Sequence, residues 1–163
     1  MVERLLEYPE KMKAVDKGNM LNFCLNMCRH YQEAADISAG ILIKYPKPNN
    51  IIVTGMGGSA IGGDLLKGWA KNKTPIPINV NRDYHLPAYA NEKTLVLITS
   101  YSGDTEESLS CFLDALKQKC MIFCVSSGGA LLEHAQRLKV PFVKVPSGMP
   151  PRAALPYMFL PLL

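Results

Sequence analysis

The stretch Ile51–Leu66, IIVTGMGGSAIGGDLL, decides how the rest of the chain is read. An apolar, β-branched run from Ile51 to Thr54 meets glycines at Gly55, Gly57 and Gly58, then the hydroxyl of Ser59. An amphipathic segment with Ile61, Leu65 and Leu66 follows. That order is a buried strand, a tight turn and a helix N-terminus, the sequence form of a βα phosphate-binding loop. Glycine lets the backbone approach a ligand closely. The first N–H groups of a helix have no intrahelical partner, so an anion there is both bonded and favoured by the helix dipole. The loop carries no Lys or Arg, so main-chain amides and the Ser59 hydroxyl would have to hold a phosphate there.

Two other loops compete for these glycines. A Walker A loop ends in Gly-Lys-Ser/Thr, whereas Ser59 and Ala60 stand here. A dinucleotide fingerprint matches Gly55, Gly57 and Ala60 loosely, with Asp83 after the next strand as a ribose ligand. The plainest alternative is a turn whose glycines serve close helix packing.

With 163 residues, 48% hydrophobic and 20% charged, the chain suits one globular domain with a sizeable core. Its formal charge of +4 is spread over scattered Lys and Arg, which argues against nucleic-acid binding while allowing small anions. Cys24, Cys28, Cys111, Cys120 and Cys124 form no CxxC pair and have no His at metal-ligand spacing. They read as small buried apolar residues in a reducing cytoplasm, without metal or disulfide. The N-terminal MVERLLEYPEK mixes acids and bases and is no signal peptide, and no apolar run is long enough to span a bilayer.

Residues 1–45 read as a helical segment. Leu21, Cys24, Leu25 and Cys28 recur at helix spacing, Ile37, Ile41 and Leu42 continue the stripe to Lys44, and Gly18–Asn19 divides it into two helices. Pro46 and Pro48 end this segment, and 46–163 reads as an α/β domain. Strands are expected at Ile51–Thr54, Ile76–Asn81, Thr94–Thr99, Cys120–Val125 and Pro141–Val145. Helices are expected from Ser59 to about Lys71, around Leu109, Phe112, Leu113 and Leu116, and around Leu131, Leu132 and Ala135. Strict strand–helix alternation calls for a five-stranded parallel sheet in a three-layer α/β/α sandwich. In flavodoxin-like order the first and third strands are neighbours, so Ser59 would face Ser100, Ser102 and Thr105 across the crevice where ligands bind. Four hydroxyls and two helix N-termini could then surround one phosphate. Ser102 and Asp104 also suit plain helix capping, with Glu106 and Glu107 complementing the dipole.

The blocks GMGGSAIGGD (Gly55–Asp64), SYSGDTEESL (Ser100–Leu109), SSGG (Ser126–Gly129) and PPRAAL (Pro150–Leu155) resemble the sugar isomerase (SIS) domain. More narrowly, they resemble the first half of the bifunctional phosphoglucose/phosphomannose isomerases. The resemblance implies a cytoplasmic, cofactor-free and metal-free isomerase working as a pair of SIS domains, in one chain or as a homodimer. It implies that Gly57, Gly58 and Ser59, with Ser100, Ser102 and Thr105, bind the sugar phosphate, and that Arg152 stabilises an enediolate. A fixed guanidinium suits that role because the proton shift between C2 and C1 builds negative charge on oxygen. The family usually runs Arg-x-Ala-Leu-Gly-Tyr, and Pro156 here implies a short or kinked helix after Arg152. General base and ring-opening acid would come from a second half beyond Leu163, for which the apolar run Tyr157–Leu163 reads as a surface awaiting another domain. His30, His85 and His134 have no partner spacing and read as structural or solvated. A non-catalytic phosphosugar-sensing SIS module and a nucleotide-binding Rossmann-type domain remain as alternatives.

Overall fold

The computed structural model describes residues 8–163. The elements are α1 (Pro9–Val15), α2 (Met20–Leu25), α3 (Met27–Ser38), β1 (Asn50–Thr54), α4 (Gly57–Ala70), β2 (Ile78–Asn81) and β3 (Thr94–Thr99). They continue with α5 (Glu106–Lys117), β4 (Met121–Ser126), α6 (Gly129–Leu138), β5 (Phe142–Lys144), α7 (Leu155–Phe159) and a closing 3-10 turn, Leu160–Leu162. All five strands are parallel, in the order β2-β1-β3-β4-β5. This is the flavodoxin-like order expected, with direction reversing between β1 and β3.

The sheet is buried on both faces, which is why β3 and β4 read as nearly continuous apolar runs. Side chains alternate between two cores. Val53, Leu97, Phe123 and Val125 point to one face, where α3, α4 and α7 cover them through Ala34, Leu66 and Met158. Ile52, Val96, Ile98, Ile122 and Cys124 point to the other, under Cys111, Phe112 and Ala115 of α5 and Leu131 and Ala135 of α6. In α4 the two faces are set by adjacent glycines. A Cβ on Gly63 would lie 2.8 Å from Val53 Cγ1 in the sheet, and one on Gly62 would overlap the Met158 carbonyl of α7.

Several local expectations need correction. Residues 1–7 of the N-terminal segment lie outside the described residues. The rest of it forms three helices, because Asn26 caps α2 and interrupts the periodicity. That interruption resets the helical phase, so Leu21, Cys24, Leu25 and Cys28 are exposed, while Phe23, Met27 and His30 are partly buried. The two cysteines are therefore not core residues, although Cys111 and Cys124 are. The helix stops at Ser38; Ile41 and Ile43 pack against the core from irregular chain and Leu42 faces solvent. In α5, Leu113 is exposed and Cys111 takes the inward position beside Phe112. Among the described residues no helix is long and apolar enough to cross a membrane.

Candidate functional site

The carboxyl ends of β1 and β3 lie side by side at the switch point, where ligands bind in open α/β sheets. Thr99 ties them together: its Oγ1 lies 2.9 Å from the Thr54 carbonyl and 3.2 Å from the Ser59 carbonyl. The loop after β1 then turns through Gly57, whose φ of +51° favours glycine, into α4.

The two serine-bearing turns meet. The Ser59 hydroxyl accepts a hydrogen bond from Tyr101 N at 3.2 Å and lies 3.6 Å from Met158 Sδ, and Ser59 is buried. In the turn after β3, the buried Ser100 hydroxyl accepts from Gly103 N at 3.0 Å and donates to Thr105 Oγ1 at 2.9 Å. Ser102 is exposed and accepts from Asp104 N at 3.3 Å. All four predicted hydroxyls thus have partners inside the protein.

The third loop, after β4, is built differently from the expected phosphate cage. Asp104 does not cap its own helix: its Oδ1 accepts from Ala130 N at 2.9 Å, which places a carboxylate on the N-terminus of α6. A carboxylate there gains from the same dipole and orphan amides that would attract phosphate. Of the three glycine- and serine-rich loops, this one is already occupied by an anion of the chain itself. Sequence spacing could not reveal it, since donor and acceptor lie 26 residues apart.

A cleft of about 520 Å³ opens beside the first loop, lined by Met56, Gly57, Gly58, Ile61, Pro151, Arg152 and Leu155. It brings Gly57 and Gly58 together with Arg152; Ser59, Ser100, Ser102 and Thr105 do not line it. Gly58 is close to the arginine segment, since a Cβ there would sit 3.2 Å from Pro151 O. Arg152 itself is exposed and lies in two overlapping turns, with Ala153 N bonded to Pro150 O at 2.8 Å and Ala154 N to Pro151 O at 3.3 Å. Among the described residues it has no ion-pair partner. Pro156 accounts for the turns around Arg152: α7 has five residues and begins only at Leu155, so the proline falls in the first turn, where a missing N–H costs nothing. Arg152 therefore precedes the helix.

Among the described residues no carboxylate or imidazole lines the cleft. The histidines are partnered elsewhere. His30 Nδ1 is 3.1 Å from Tyr157 Oη, which donates to Glu33 Oε2 at 2.6 Å and joins α3 to α7. Burial pushes the Tyr157 phenol up, and the bond from that phenol holds the Glu33 carboxyl below its usual range. His85 Nδ1 lies 3.0 Å from Asp114, and the His134 ring stacks on Phe112. Asp83, the ribose ligand of the dinucleotide reading, is exposed and accepts from Tyr84 N at 2.6 Å. Sequence reasoning passed over Tyr101, between the two singled-out serines, although it bonds to Ser59 of α4 and to the loops after β4 and β5.

No family model matches the sequence. A bifunctional phosphoglucose/phosphomannose isomerase of Caldicellulosiruptor bescii is 44% identical over 146 residues, covering 88% of this chain and 43% of that protein. Another with the same description, from Thermoplasma acidophilum, is 36% identical over 115 residues, covering 71% of this chain and 35% of that protein. The chain thus spans less than half the length of these curated relatives. Among solved structures, the C-terminal domain of glucosamine-fructose-6-phosphate aminotransferase from Francisella tularensis matches with a TM-score of 0.67 at 17% identity, over 88% of this chain and 45% of that one. At that identity the likeness speaks for the fold alone. By sequence this chain is homologous to part of the bifunctional phosphoglucose/phosphomannose isomerases, and it shares its parallel α/β fold with that aminotransferase domain.

Proposed function

We propose that this chain is the phosphosugar-binding part of an aldose–ketose isomerase that interconverts glucose 6-phosphate or mannose 6-phosphate with fructose 6-phosphate in the cytoplasm. Residues 46–163 would be the first of two SIS domains. The supporting observation is the cleft that joins a glycine-lined helix N-terminus to an unpaired guanidinium. The phosphate would sit on the Gly57–Gly58 amides at the start of α4, with Ser59, Ser100, Ser102 and Thr105 shaping the adjoining turns, and the sugar would extend toward Arg152. When a base removes the C2 proton of the open-chain aldose, electrons move onto the C1 oxygen; the C2 hydroxyl proton passes to that oxygen, and as the O2 electrons form the C2 carbonyl the first proton returns to C1, which gives the ketose. Arg152 would stabilise the charge on that oxygen without gaining or losing a proton.

Base and acid have no counterpart among the described residues of the cleft and would come from a second SIS domain or a second copy. The Tyr157–Leu163 run is not the surface awaiting it, since Tyr157, Met158 and Leu162 are buried in this chain's own core; the seat would be the outer stripe of α4, where Ile61, Leu65 and Trp69 recur one turn apart and are 46%, 39% and 47% exposed, and Ile61 also lines the cleft. The same lack of an acid–base pair favours a second reading, a non-catalytic module that senses a phosphosugar.

Calorimetric titration of the chain with glucose 6-phosphate, fructose 6-phosphate and NAD(H), beside a coupled isomerase assay of the chain and of the longer protein, separates the readings. Weak sugar-phosphate binding by the chain, with turnover only in the longer protein, is expected. Sugar-phosphate binding without turnover in the longer protein would leave the sensor. Binding of the dinucleotide alone would end both.

A further inference from the structure

Tyr101 is 8% exposed and makes hydrogen bonds in three directions. Its backbone N–H donates to Ser59 Oγ at 3.2 Å, and its carbonyl accepts from Ser127 N at 3.0 Å and Ser127 Oγ at 2.7 Å. Its phenol donates to Pro146 O at 3.1 Å and accepts from Met149 N at 2.9 Å. The last two bonds have an unusual arrangement. Pro146 and Met149 are the first and fourth residues of a turn whose third residue is Gly148, with φ +86°. In an ordinary turn of this kind the first carbonyl accepts from the fourth N–H. Here both groups end on the same phenol oxygen, so a side chain from the loop after β3 supplies the bond that would close the turn after β5. That turn runs directly into Pro150 and Pro151, whose carbonyls hold the turns around Arg152.

We propose that Tyr101 is a positioning residue for Arg152: its phenol, inserted in the 146–149 turn, fixes the guanidinium relative to the phosphate-side loops. The proposal rests on the functional reading above. Two prolines and two overlapping turns leave little slack between Met149 and Arg152, so an error in the turn is carried to the guanidinium. A phenylalanine would keep the ring in the core while releasing both the Pro146 carbonyl and the Met149 N–H, so Tyr101→Phe separates positioning from packing.

The test titrates the chain with inorganic phosphate and with 6-phosphogluconate, which adds a carboxylate at the sugar end. Wild type, Tyr101→Phe, Arg152→Gln and the double variant are compared at one ionic strength. Wild type should bind 6-phosphogluconate more tightly than phosphate. Tyr101→Phe should weaken 6-phosphogluconate about fivefold or more, the scale of losing a hydrogen bond or two, and leave phosphate within about twofold. On the Arg152→Gln background the tyrosine change should add nothing further, because both act through one group. Gly148→Ala strains the same turn from within and should reproduce the selective loss, which keeps the proposal testable if Tyr101→Phe does not fold. Equal losses for both ligands, full additivity with Arg152→Gln, or equal wild-type affinities would overturn the role of Tyr101. Wild type binding neither ligand would instead overturn the functional reading.

Discussion

Gly62 and Gly68 lie in the same helix and call for opposite outcomes on substitution by alanine. In an exposed helix interior alanine is favoured over glycine by about 0.5–1 kcal/mol. Nothing lies within 4 Å of a Cβ on Gly68, so Gly68→Ala should gain that amount. A Cβ on Gly62 would overlap the Met158 carbonyl oxygen, lie 2.9 Å from its carbon and 3.4 Å from Phe159 N. Those atoms are backbone and cannot rotate aside, so α7 must move; forced overpacking of this sort costs about 1–3 kcal/mol. With the clash at the upper end, the net loss is about 2 kcal/mol. For a domain of this size a change of 1 kcal/mol moves the melting temperature about 2–4 °C. Gly62→Ala should thus melt about 4–8 °C below wild type and Gly68→Ala about 1–4 °C above it, followed by circular dichroism at 222 nm. Because α7 begins with Leu155 of the cleft, Gly62→Ala should also weaken sugar-phosphate binding. A Gly62→Ala protein as stable as wild type would refute the close seating of α7 on α4, and with it the frame that holds Arg152.

Asp104→Ala should lower stability by about 0.5–2 kcal/mol, the usual cost of losing a helix cap, read as a lower urea midpoint with unchanged slope; an unchanged midpoint would show that α6 does not depend on the carboxylate. Cys24 and Cys28 should react promptly with an aromatic disulfide reagent in the native chain, while Cys124, whose thiol burial pushes up to about 12, and the buried Cys111 should react only in denaturant. Peptide mass spectrometry would expose early labelling of Cys111 or Cys124 as the contrary result. The His85 imidazole beside Asp114 holds that carboxyl below the usual carboxylate range. Its folded pKa is lower than its unfolded one, so the stabilisation is complete above the ordinary aspartate value of about 3.9 and is lost as pH falls through the depressed folded value. Asp114→Asn should therefore flatten stability against pH across that acid window, and identical slopes for the two proteins would count against the pairing.

The sheet was legible because its signal is local and redundant. The run Thr94–Thr99 is apolar on both faces and bounded by polar loops, and β3 has those same bounds. Strand–helix alternation then leaves few topologies, and the expected neighbours β1 and β3 pair along five residues. Periodicity failed where the chain changes phase. One interruption at Asn26 turned a stripe of Leu and Cys outward, and the apolar Ile41 and Ile43 pack against the core from chain beyond the last helical turn. Of the candidate site, the sequence pointed to Gly57, Gly58 and Arg152, which share the cleft, and to hydroxyls that do not line it, and it said much less of their partners. Spacing could place Ser59 near Ser100 but not show that Tyr101 N takes its hydroxyl, nor that Asp104 reaches across to Ala130. Hydrogen bonds between distant loops depend on rotamers and approach distances that no one-dimensional pattern encodes.

Gly57 and Gly58 shape the cleft with no side chain to delete. Removing a functional group, the usual way of probing a binding site, has little to act on along this wall. Saturation mutagenesis at Gly58 should accordingly rank replacements by bulk and not by polarity, since any added carbon first meets the Pro151 carbonyl and pushes on the strand of chain that carries the arginine. Such a wall would have no conservative replacement, and tolerance to drift would be confined to the residues around it.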